Sequence, residues 1–413
     1  MAVETGTRAT LARAKSGLLL LGPAFVAAIA YVDPGNVASN VSAGAQFGYL
    51  LVWVIVVANL MAGLVQYLSA KLGLVTGLSL PEALRERLGR PARLGYWVQA
   101  ELVAIATDLA EVVGGAIALY LLFDLPLLVG GAITGAVSLL MLAVYDRRGP
   151  RGFERVITGF LLVIAFGFLV GVFVEPPSAA DAAAGLVPRF SGAESVLLAA
   201  AMLGATVMPH AVYLHSGLAR DRHGHTGGTR LRRLLRATKV DVTVAMLLAG
   251  AVNLGMLLLA ATNLQGLDGV DSIEGAHNAI QNALGPAVAL LFAVGLLASG
   301  LASTSVGAYA GAMIMQGLLR KRVPLLLRRL VTLVPALVVL AAGVDPSRAL
   351  ILSQVVLSFG IPFALAPLVR LTSDRGLMGD NTNHRLTTAV AWLVAAVIIV
   401  LNMALLYLTF VPA

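Results

Sequence analysis

Eleven long apolar stretches constrain this chain more than any other feature of its sequence. Each is long enough to cross a hydrocarbon core ~30 Å thick as an α-helix that rises about 1.5 Å per residue. None shows the ~10-residue alternating pattern of a membrane β-barrel strand. The sequence therefore predicts one all-α membrane domain over residues 1–413 with eleven transmembrane segments. Segments 1 to 11 span about 17–44, 48–70, 94–119, 125–145, 156–174, 195–219, 242–264, 286–319, 324–343, 347–369 and 387–411.

The composition agrees with a membrane protein and excludes several other classes. Hydrophobic residues make up 59% of the chain and charged residues 12%, against roughly 45–50% and 25% in soluble domains. Nucleic-acid-binding, disulfide-linked secreted and disordered proteins are therefore excluded. The chain has no Cys, which removes thiolate metal sites. It also lacks glycine-rich nucleotide motifs and the nucleophile and metalloprotease motifs of common enzymes, so we expect neither catalysis nor a bound cofactor.

Basic residues predict the orientation in the membrane. With the N-terminus in the cytoplasm, 27 of the 29 Lys and Arg residues fall on the cytoplasmic side, and only Arg189 and Arg348 fall outside. Such a bias is typical of cytoplasmic loops. An odd number of spans then places the C-terminus outside. The same bias accounts for the net charge of +8, so we expect a lipid bilayer around the chain but no nucleic acid and no obligatory protein partner.

Segments 1 and 6 carry helix-breaking residues near their midpoints. Segment 1 contains Asp33-Pro34-Gly35-Asn36, and segment 6 contains Met208-Pro209-His210. Proline removes a backbone donor and glycine adds backbone freedom, and freed backbone groups at membrane depth must find partners or line a cavity. Breaks at matching positions predict two five-helix repeats, about 17–174 and 195–369, with 387–411 as an extra helix. Paired broken helices predict the substrate site of a transporter.

The residue types in the breaks favour a cation as the substrate. An ionised Asp33 near the bilayer centre costs at least ~2.5–3.5 kcal/mol, so we expect it to bind a ligand or to line a wet path. Asp33, the Asn36 amide oxygen and unwound carbonyls alone suit Na⁺, Mg²⁺ or Ca²⁺. A Met208 thioether shifts the preference to softer transition metals, unless Met208 only fills the core. His210 is a candidate for metal binding, for proton transfer or for a structural hydrogen bond.

Segment 3 carries three carboxylates, which share one helix face at about 100° per residue. Two arginines begin segment 9 on the cytoplasmic side, where segment 3 also begins. The two groups predict either a proton pathway or static salt bridges between segments 3 and 9. Gln354, a lone amide in segment 10, is either an interhelical hydrogen-bonding residue or a substrate ligand. The candidate proton-pathway residues are Asp33, His210, Glu101, Asp108, Glu111, Arg328 and Arg329.

Together these motifs resemble the Nramp family of proton-coupled divalent-metal transporters, in its bacterial manganese-transporting branch. The resemblance is carried by Asp33–Asn36, Met208–His210, the stretch from Glu101 to Glu111, and Leu352-Ser353-Gln354 with the following Phe359-Gly360. It implies a LeuT-like fold of inverted five-plus-five repeats with broken helices 1 and 6. It assigns the proton pathway to the residues named above. It also implies metal ligands at Asp33, Asn36, the Ala205 carbonyl, Met208 and Gln354.

We therefore expect a secondary active importer of Mn(II) and Fe(II) that is coupled to proton entry, in the plasma membrane of a prokaryote. Its expected partners are divalent metal ions, protons and the bilayer. The alternative is a LeuT-fold symporter of a small organic substrate such as an amino acid, in which the break binds Na⁺ and a carboxylate and Met208 is packing. A metal sensor or channel is a third class, but two symmetric breaks favour alternating access over an open pore.

Overall fold

The computed structural model of this chain describes residues 22–224, 226–270, 272–321 and 323–410. At residues 143–151, 325, 348, 351, 352, 355, 358, 405, 406 and 408–410 it describes the backbone alone. The first part of segment 1 and both chain termini lie outside the described residues. The predicted cytoplasmic N-terminus and outer C-terminus therefore stay predictions.

The described residues form α-helices joined by short connections, with no β-strand among them. The helices are α1 (Pro23–Ile29), α2 (Pro34–Phe47), α3 (Val52–Thr76), α4 (Leu80–Arg87), α5 (Arg90–Phe123), α6 (Leu127–Val174), α7 (Ala179–Ala184), α8 (Gly192–Thr206), α9 (Pro209–His223), α10 (Gly228–Asn263), α11 (Ile273–Leu284), α12 (Pro286–Leu319), α13 (Leu325–Ala341), α14 (Pro346–Thr372), α15 (Arg375–Met378) and α16 (Arg385–Phe410). Single 3₁₀ turns cover Gly48–Leu51 and Gly379–Asn381. The predicted all-α class is confirmed.

The helices follow the predicted spans except at segments 4 and 5. Among the described residues, seven helical stretches are long and apolar enough to cross a membrane, and Leu127–Leu142 and Phe359–Thr372 are shorter apolar helices. The predicted separation of 125–145 from 156–174 by a loop is wrong, because α6 is helical over 48 residues, Leu127–Val174. A polar stretch between two apolar spans predicts a loop, but the arginines in this connection are good helix formers. The two apolar parts of α6 lie on either side of that basic stretch.

Three predicted connections contain short helices of their own. They are α4 in the connection 71–93, α7 in 175–194 and α11 in 265–285. Helix α4 begins at a capping box in which Ser79 and Glu82 bond each other's backbone. It is also fixed to α9, because the Leu80 N–H donates to Ser216 Oγ at 2.8 Å and Arg220 pairs with Glu82. The long connection between segments 6 and 7, predicted over 220–241, is shorter in the structure because α10 starts at Gly228.

Helix α12 lies at the centre of the bundle and packs most extensively against α5 and α6. Glycines allow this close approach: a Cβ atom at Gly300 would stand 3.0 Å from the Glu111 carbonyl oxygen of α5. Large apolar side chains also cover the outside of the bundle, where Leu60, Leu247 and Phe173 are 69%, 62% and 79% exposed. Apolar surface of this extent fits contact with lipid rather than water. The chain is a multi-pass membrane protein.

Candidate metal centre

The break in segment 1 separates α1 from α2. Helix α1 ends at Ile29, and α2 begins at Pro34 with Asp33 as its N-cap residue. Proline is suited to this first helical position, because its missing N–H has no intrahelical partner there. Asp33 Oδ1 accepts the Asn36 backbone N–H at 2.8 Å. The carboxylate is thus held at the N-terminus of a helix, where the helix dipole favours negative charge, and only 1% of Asp33 is exposed.

Polar side chains from α10 and α12 satisfy backbone carbonyls freed by this break. Asn253 donates to the Tyr31 carbonyl at 2.7 Å. Ser299 donates to the Val32 carbonyl at 2.5 Å. Without such partners, buried carbonyls would cost free energy in a lipid environment. Neither residue was among the predicted site residues, although Asn253 is detectable in the sequence as a polar residue within an apolar segment.

The break in segment 6 meets the break in segment 1 at Asn36. Helix α8 ends at Thr206, and α9 begins at Pro209 with Met208 as its N-cap residue. The Asn36 Nδ2 atom donates to Asp33 Oδ1 at 2.6 Å and to the Ala205 carbonyl at 3.1 Å. The hydrogen bond from Asn36 to the Ala205 carbonyl therefore joins the two breaks across 169 positions of the sequence.

Several ligand-type atoms at this meeting point have no hydrogen-bond partner among the described residues. They include Asp33 Oδ2, Asn36 Oδ1 and both amide atoms of Gln354. Gln354 lies against Gly35, since a Cβ atom on Gly35 would overlap its side chain and stand 3.3 Å from Asp33 Oδ2. Met208 is fully buried at its break. Buried polar atoms without partners are unusual and call for a ligand, an ion or water.

The two histidines of segment 6 have different surroundings. His210 is 2% exposed, and neither ring nitrogen has a hydrogen-bond partner among the described residues. His215 Nδ1 instead lies 2.7 Å from Gln66 Oε1, and Gln66 Nε2 donates to the Tyr31 hydroxyl at 2.6 Å. His215 is therefore part of a structural network at the break. His215 keeps only Nε2 without a partner among the described residues, whereas His210 has both ring nitrogens open for metal or proton chemistry.

Two of the three segment 3 carboxylates pair with the two arginines of α13. Glu101 forms a bidentate pair with Arg328, at 2.8 and 2.9 Å. Asp108 Oδ1 lies 2.8 Å from Arg329 Nη1, and both side chains are buried, with 2% and 0% exposed. These contacts are the salt bridges between segments 3 and 9 that the sequence left as one interpretation.

Arg329 has further hydrogen-bond partners besides Asp108. Arg329 Nε donates to Ser138 Oγ, and Arg329 Nη2 donates to Thr304 Oγ1, both at 2.7 Å. Burying a guanidinium costs free energy, which the ion pair with Asp108 and these two hydrogen bonds offset. Arg329 is thus fixed to α6, α12 and α5 together.

Glu101, Asp108 and Glu111 form a row of carboxylates along α5, and Glu111 is the member nearest to the break in segment 1. It is fully buried, and neither carboxylate oxygen has a hydrogen-bond partner among the described residues. A Cβ atom at Gly307 would lie 3.3 Å from Glu111 Oε2 and 3.8 Å from Asp108 Oδ1, so both acids face the same glycine of α12. One turn further along α5, Gly114 packs directly on Pro34. The row therefore leads from the Arg329 pair to the edge of the break.

The far end of α1 is held by an acidic residue that sequence reasoning missed. Asp241 of α10 accepts the backbone N–H groups of Gly22 and Ala24, each at 3.1 Å. An ion pair between Arg222 and Glu154 lies beside Gly22. Asp241 is 2% exposed and acts as an N-cap supplied by another helix. No sequence pattern predicts a cap 217 residues away.

Among the described residues, no group of three or more His, Cys, Asp or Glu side chains is arranged to hold a metal. The meeting point offers one carboxylate, neutral amide and carbonyl oxygens, and a thioether. Such a set carries one formal negative charge, that of the Asp33 carboxylate.

The family described as natural resistance-associated macrophage protein-like, Nramp, matches residues 24–408. This chain belongs to the Nramp family. It is 68% identical over 396 residues to the divalent metal cation transporter MntH of Mycobacterium tuberculosis, covering 96% of this chain and 92% of that protein. The relatives found are thus named as transporters and not as enzymes.

Solved structures agree with the Nramp membership. The structure of the Eremococcus coleocola manganese transporter is 31% identical and has a TM-score of 0.86, with 96% of this chain and 89% of that chain covered. The nucleobase-cation-symport-1 family transporter MHP1 is 17% identical, with a TM-score of 0.61 over 94% of this chain and 91% of that one. At that identity the likeness shows the fold alone, and it agrees with the predicted LeuT-like class.

Proposed function

We propose that this Nramp chain is a secondary active importer of divalent transition metal ions, with Mn(II) and Fe(II) as substrates and with protons entering together with the metal. Divalent metal transport is supported by the relatives, which are named as divalent metal and manganese transporters. The observation in this chain that carries the proposal is the meeting of the two helix breaks at Asn36.

The proposed ligands combine hard and soft donors. Asp33 Oδ2 and Asn36 Oδ1 are buried without a partner among the described residues, and carboxylate and amide oxygens suit Mn(II). The Ala205 carbonyl accepts the Asn36 amide group through one lone pair, which leaves its second lone pair for a metal. Met208 adds a sulfur that hard Ca²⁺ and Mg²⁺ do not favour. Gln354 lies next to Gly35 and completes the proposed set.

Proton entry is assigned to the row of acids on α5. Glu111 stands between the Asp108–Arg329 pair and the break, and its open oxygens can take up and release a proton. Asp33 and His210 would exchange protons with this row from the side of the metal. Glu101 and Arg328 close its partly exposed end, where the Glu101 side chain is 21% exposed.

The test is Mn(II) uptake by the full chain in proteoliposomes that contain a metal-sensitive dye and an inward proton gradient. The parent protein should accumulate Mn(II). Asp33→Asn keeps the shape of the side chain and removes its charge, so its uptake should fall to the level of protein-free liposomes. Asp181→Asn, which changes an exposed carboxylate on α7, is the matched control and should transport like the parent.

Two outcomes contradict the proposal. One is Mn(II) uptake by Asp33→Asn close to that of the parent. The other is Na⁺-driven uptake of an amino acid from a substrate panel together with no Mn(II) uptake by the parent. The second outcome would favour the organic-substrate symporter, for which nothing in the described site gives specific support.

A further inference from the structure

Helix α10 is too long for a single membrane crossing. It has 36 residues, which span about 54 Å at 1.5 Å per residue, whereas the hydrocarbon core is ~30 Å thick. The charge-free part from Val242 to Asn263 alone is long enough for the crossing. The first 14 residues therefore extend beyond the hydrocarbon at the end of the bundle where Asp241 caps α1.

This extension is basic on one side and apolar on the other. Leu231 and Leu234 are buried and pack with Ala70, Leu74 and Ala219 of α3 and α9. Arg232, Arg236 and Lys239 are exposed. Their spacing of four and three residues places them on one helix face. The sequence from Gly228 to Val240 contains no Asp or Glu. Asp241, the last residue of the extension, is buried and bonds the backbone of α1, so no acidic residue of the extension lies on this face.

The basic face continues directly into the lipid-facing side of the same helix. Val240, Val244 and Leu247 are 55%, 45% and 62% exposed. At about 100° per residue, these three positions and the three basic ones fall within one arc of about 140°. Exposed apolar side chains on a spanning helix contact acyl chains, so the cations on the same arc stand over the edge of the bilayer.

The three basic residues lie at heights along the helix axis that correspond to the headgroup layer and the water just beyond it. The polar layer of a bilayer leaflet is roughly 5–7 Å thick. Lys239 and Arg236 lie about 4.5 and 9 Å above Val242 along the helix axis, and Arg232 lies about 15 Å above it. The long side chains of the lower two can reach the phosphate level, and Arg232 lies within about a Debye length of it. Among the described residues, none of the three takes part in an ion pair.

We propose that Arg232, Arg236 and Lys239 form a binding surface for anionic phospholipid headgroups at the edge of α10. This surface is defined here as the α10 basic face, and its ligand is the phosphate of a membrane lipid in the adjacent leaflet. The charge of three uncompensated cations and their continuity with the lipid-facing stripe favour a lipid over a soluble anion. The proposal is independent of the ion that the protein transports.

The experiment measures which lipid lies beside this face. Because the chain has no Cys, Thr243→Cys gives a single fluorophore position, exposed one turn below Lys239. The full chain is reconstituted in equal mixtures of phosphatidylglycerol and phosphatidylcholine, with one or the other lipid brominated as a quencher. One surface cation contributes about fivefold to the occupancy of an anionic lipid. We expect quenching to show at least about fivefold selectivity for phosphatidylglycerol in 0.1 M salt.

The variant R232Q/R236Q/K239Q should lower this selectivity to about one. The matched control R320Q/K321Q/R375Q removes three exposed cations elsewhere on the same end of the bundle, where α4 contacts both Gly317 and Asp374. The control should keep the parent's selectivity. Equal selectivity in the parent and in the α10 variant, or an equal loss in the control, overturns the proposal.

Two further measurements use the parent protein alone, so they test the proposal even if the triple variant does not fold. In 1 M salt the Debye length shortens to about 3 Å, so the selectivity should fall several-fold, and a selectivity that salt does not change overturns the proposal. Inorganic phosphate at the concentration of the lipid should leave the quenching unchanged. Loss of quenching on its addition assigns the face to a soluble anion and also overturns the proposal.

Discussion

The Asp108–Arg329 pair distinguishes a proton pathway from a static salt bridge. Both side chains are buried, at 2% and 0% exposure, and their charged atoms lie 2.8 Å apart. Removing one member of a buried pair leaves the other charge uncompensated and costs about 3–5 kcal/mol, whereas replacing both members is often neutral. Asp108→Asn and Arg329→Met should therefore each lower the free energy of unfolding by about 3–5 kcal/mol. The double variant should recover most of this loss.

Other contacts of Arg329 favour such a recovery. Ser138 Oγ, which accepts from Arg329, also donates to the Gly135 carbonyl at 2.7 Å and so keeps a partner in the double variant. Unfolding would be followed by titration with SDS in mixed micelles, and the four proteins form a double-mutant cycle. Additive losses without recovery would refute the view that the two residues act on stability through each other.

Proton movement then separates the two interpretations. If Asp108 carries protons, metal-driven proton entry, measured with an internal pH dye, is lost in Asp108→Asn and stays lost in the stable double variant. Mn(II) binding, measured by calorimetry, should stay within about threefold of the parent, because Asp108 is not among the proposed ligands. Recovery of proton entry together with stability in the double variant would refute the pathway and leave a static salt bridge.

Three further variants test other parts of the account. Met208→Ala should lose affinity for Cd(II) most and let Ca²⁺ compete better against Mn(II) in uptake assays; unchanged rejection of Ca²⁺ would make Met208 a packing residue. Asp241→Asn weakens two charge-assisted hydrogen bonds of about 1.5–3 kcal/mol each at the start of α1. A cysteine introduced at the buried position Ala27 should therefore be alkylated at least about tenfold faster in this variant than in the same reporter protein with Asp241 intact. An unchanged rate would contradict this role. Gly114→Ala places a Cβ on the proline of the first break and should lower thermal stability and Mn(II) uptake, whereas Gly159→Ala, with open space around it, should do neither.

The breaks were predictable because the sequence violates the requirements of a membrane helix there. Asp33 followed by Pro34 and Gly35 within an apolar segment has no ordinary structural explanation. The same reasoning applies to Pro209 beside Met208. The structure places both breaks where the sequence predicted them.

Contacts between distant helices were not predictable in this way. Asp241 caps Gly22 across 219 positions, and Asn253 donates to the Tyr31 carbonyl across 222 positions. Periodicity gives the face of a helix but not the helix that it meets. For the same reason, the sequence placed the arginines of segment 9 near the segment 3 acids without assigning Asp108 to Arg329.

Charge was a poor guide to where helices end. The basic stretches before segments 5 and 7 lie outside the predicted spans, yet α6 continues through the first and α10 includes most of the second. Arginine and lysine have high helix propensity, and helices can extend into the headgroup layer and water. Charge fixes which side of the membrane a connection occupies rather than its backbone conformation.

The central claim is that the transported metal binds where the two helix breaks meet. Anomalous X-ray scattering from crystals of the full chain soaked with Mn(II) tests it most directly. We expect one strong anomalous peak within about 2.0–2.6 Å of the Asp33 carboxylate and the Ala205 carbonyl, beside the Met208 sulfur, and no such peak in Asp33→Asn crystals. A peak located instead among Glu101, Asp108 and Glu111, or one that persists at the breaks in Asp33→Asn, would contradict it.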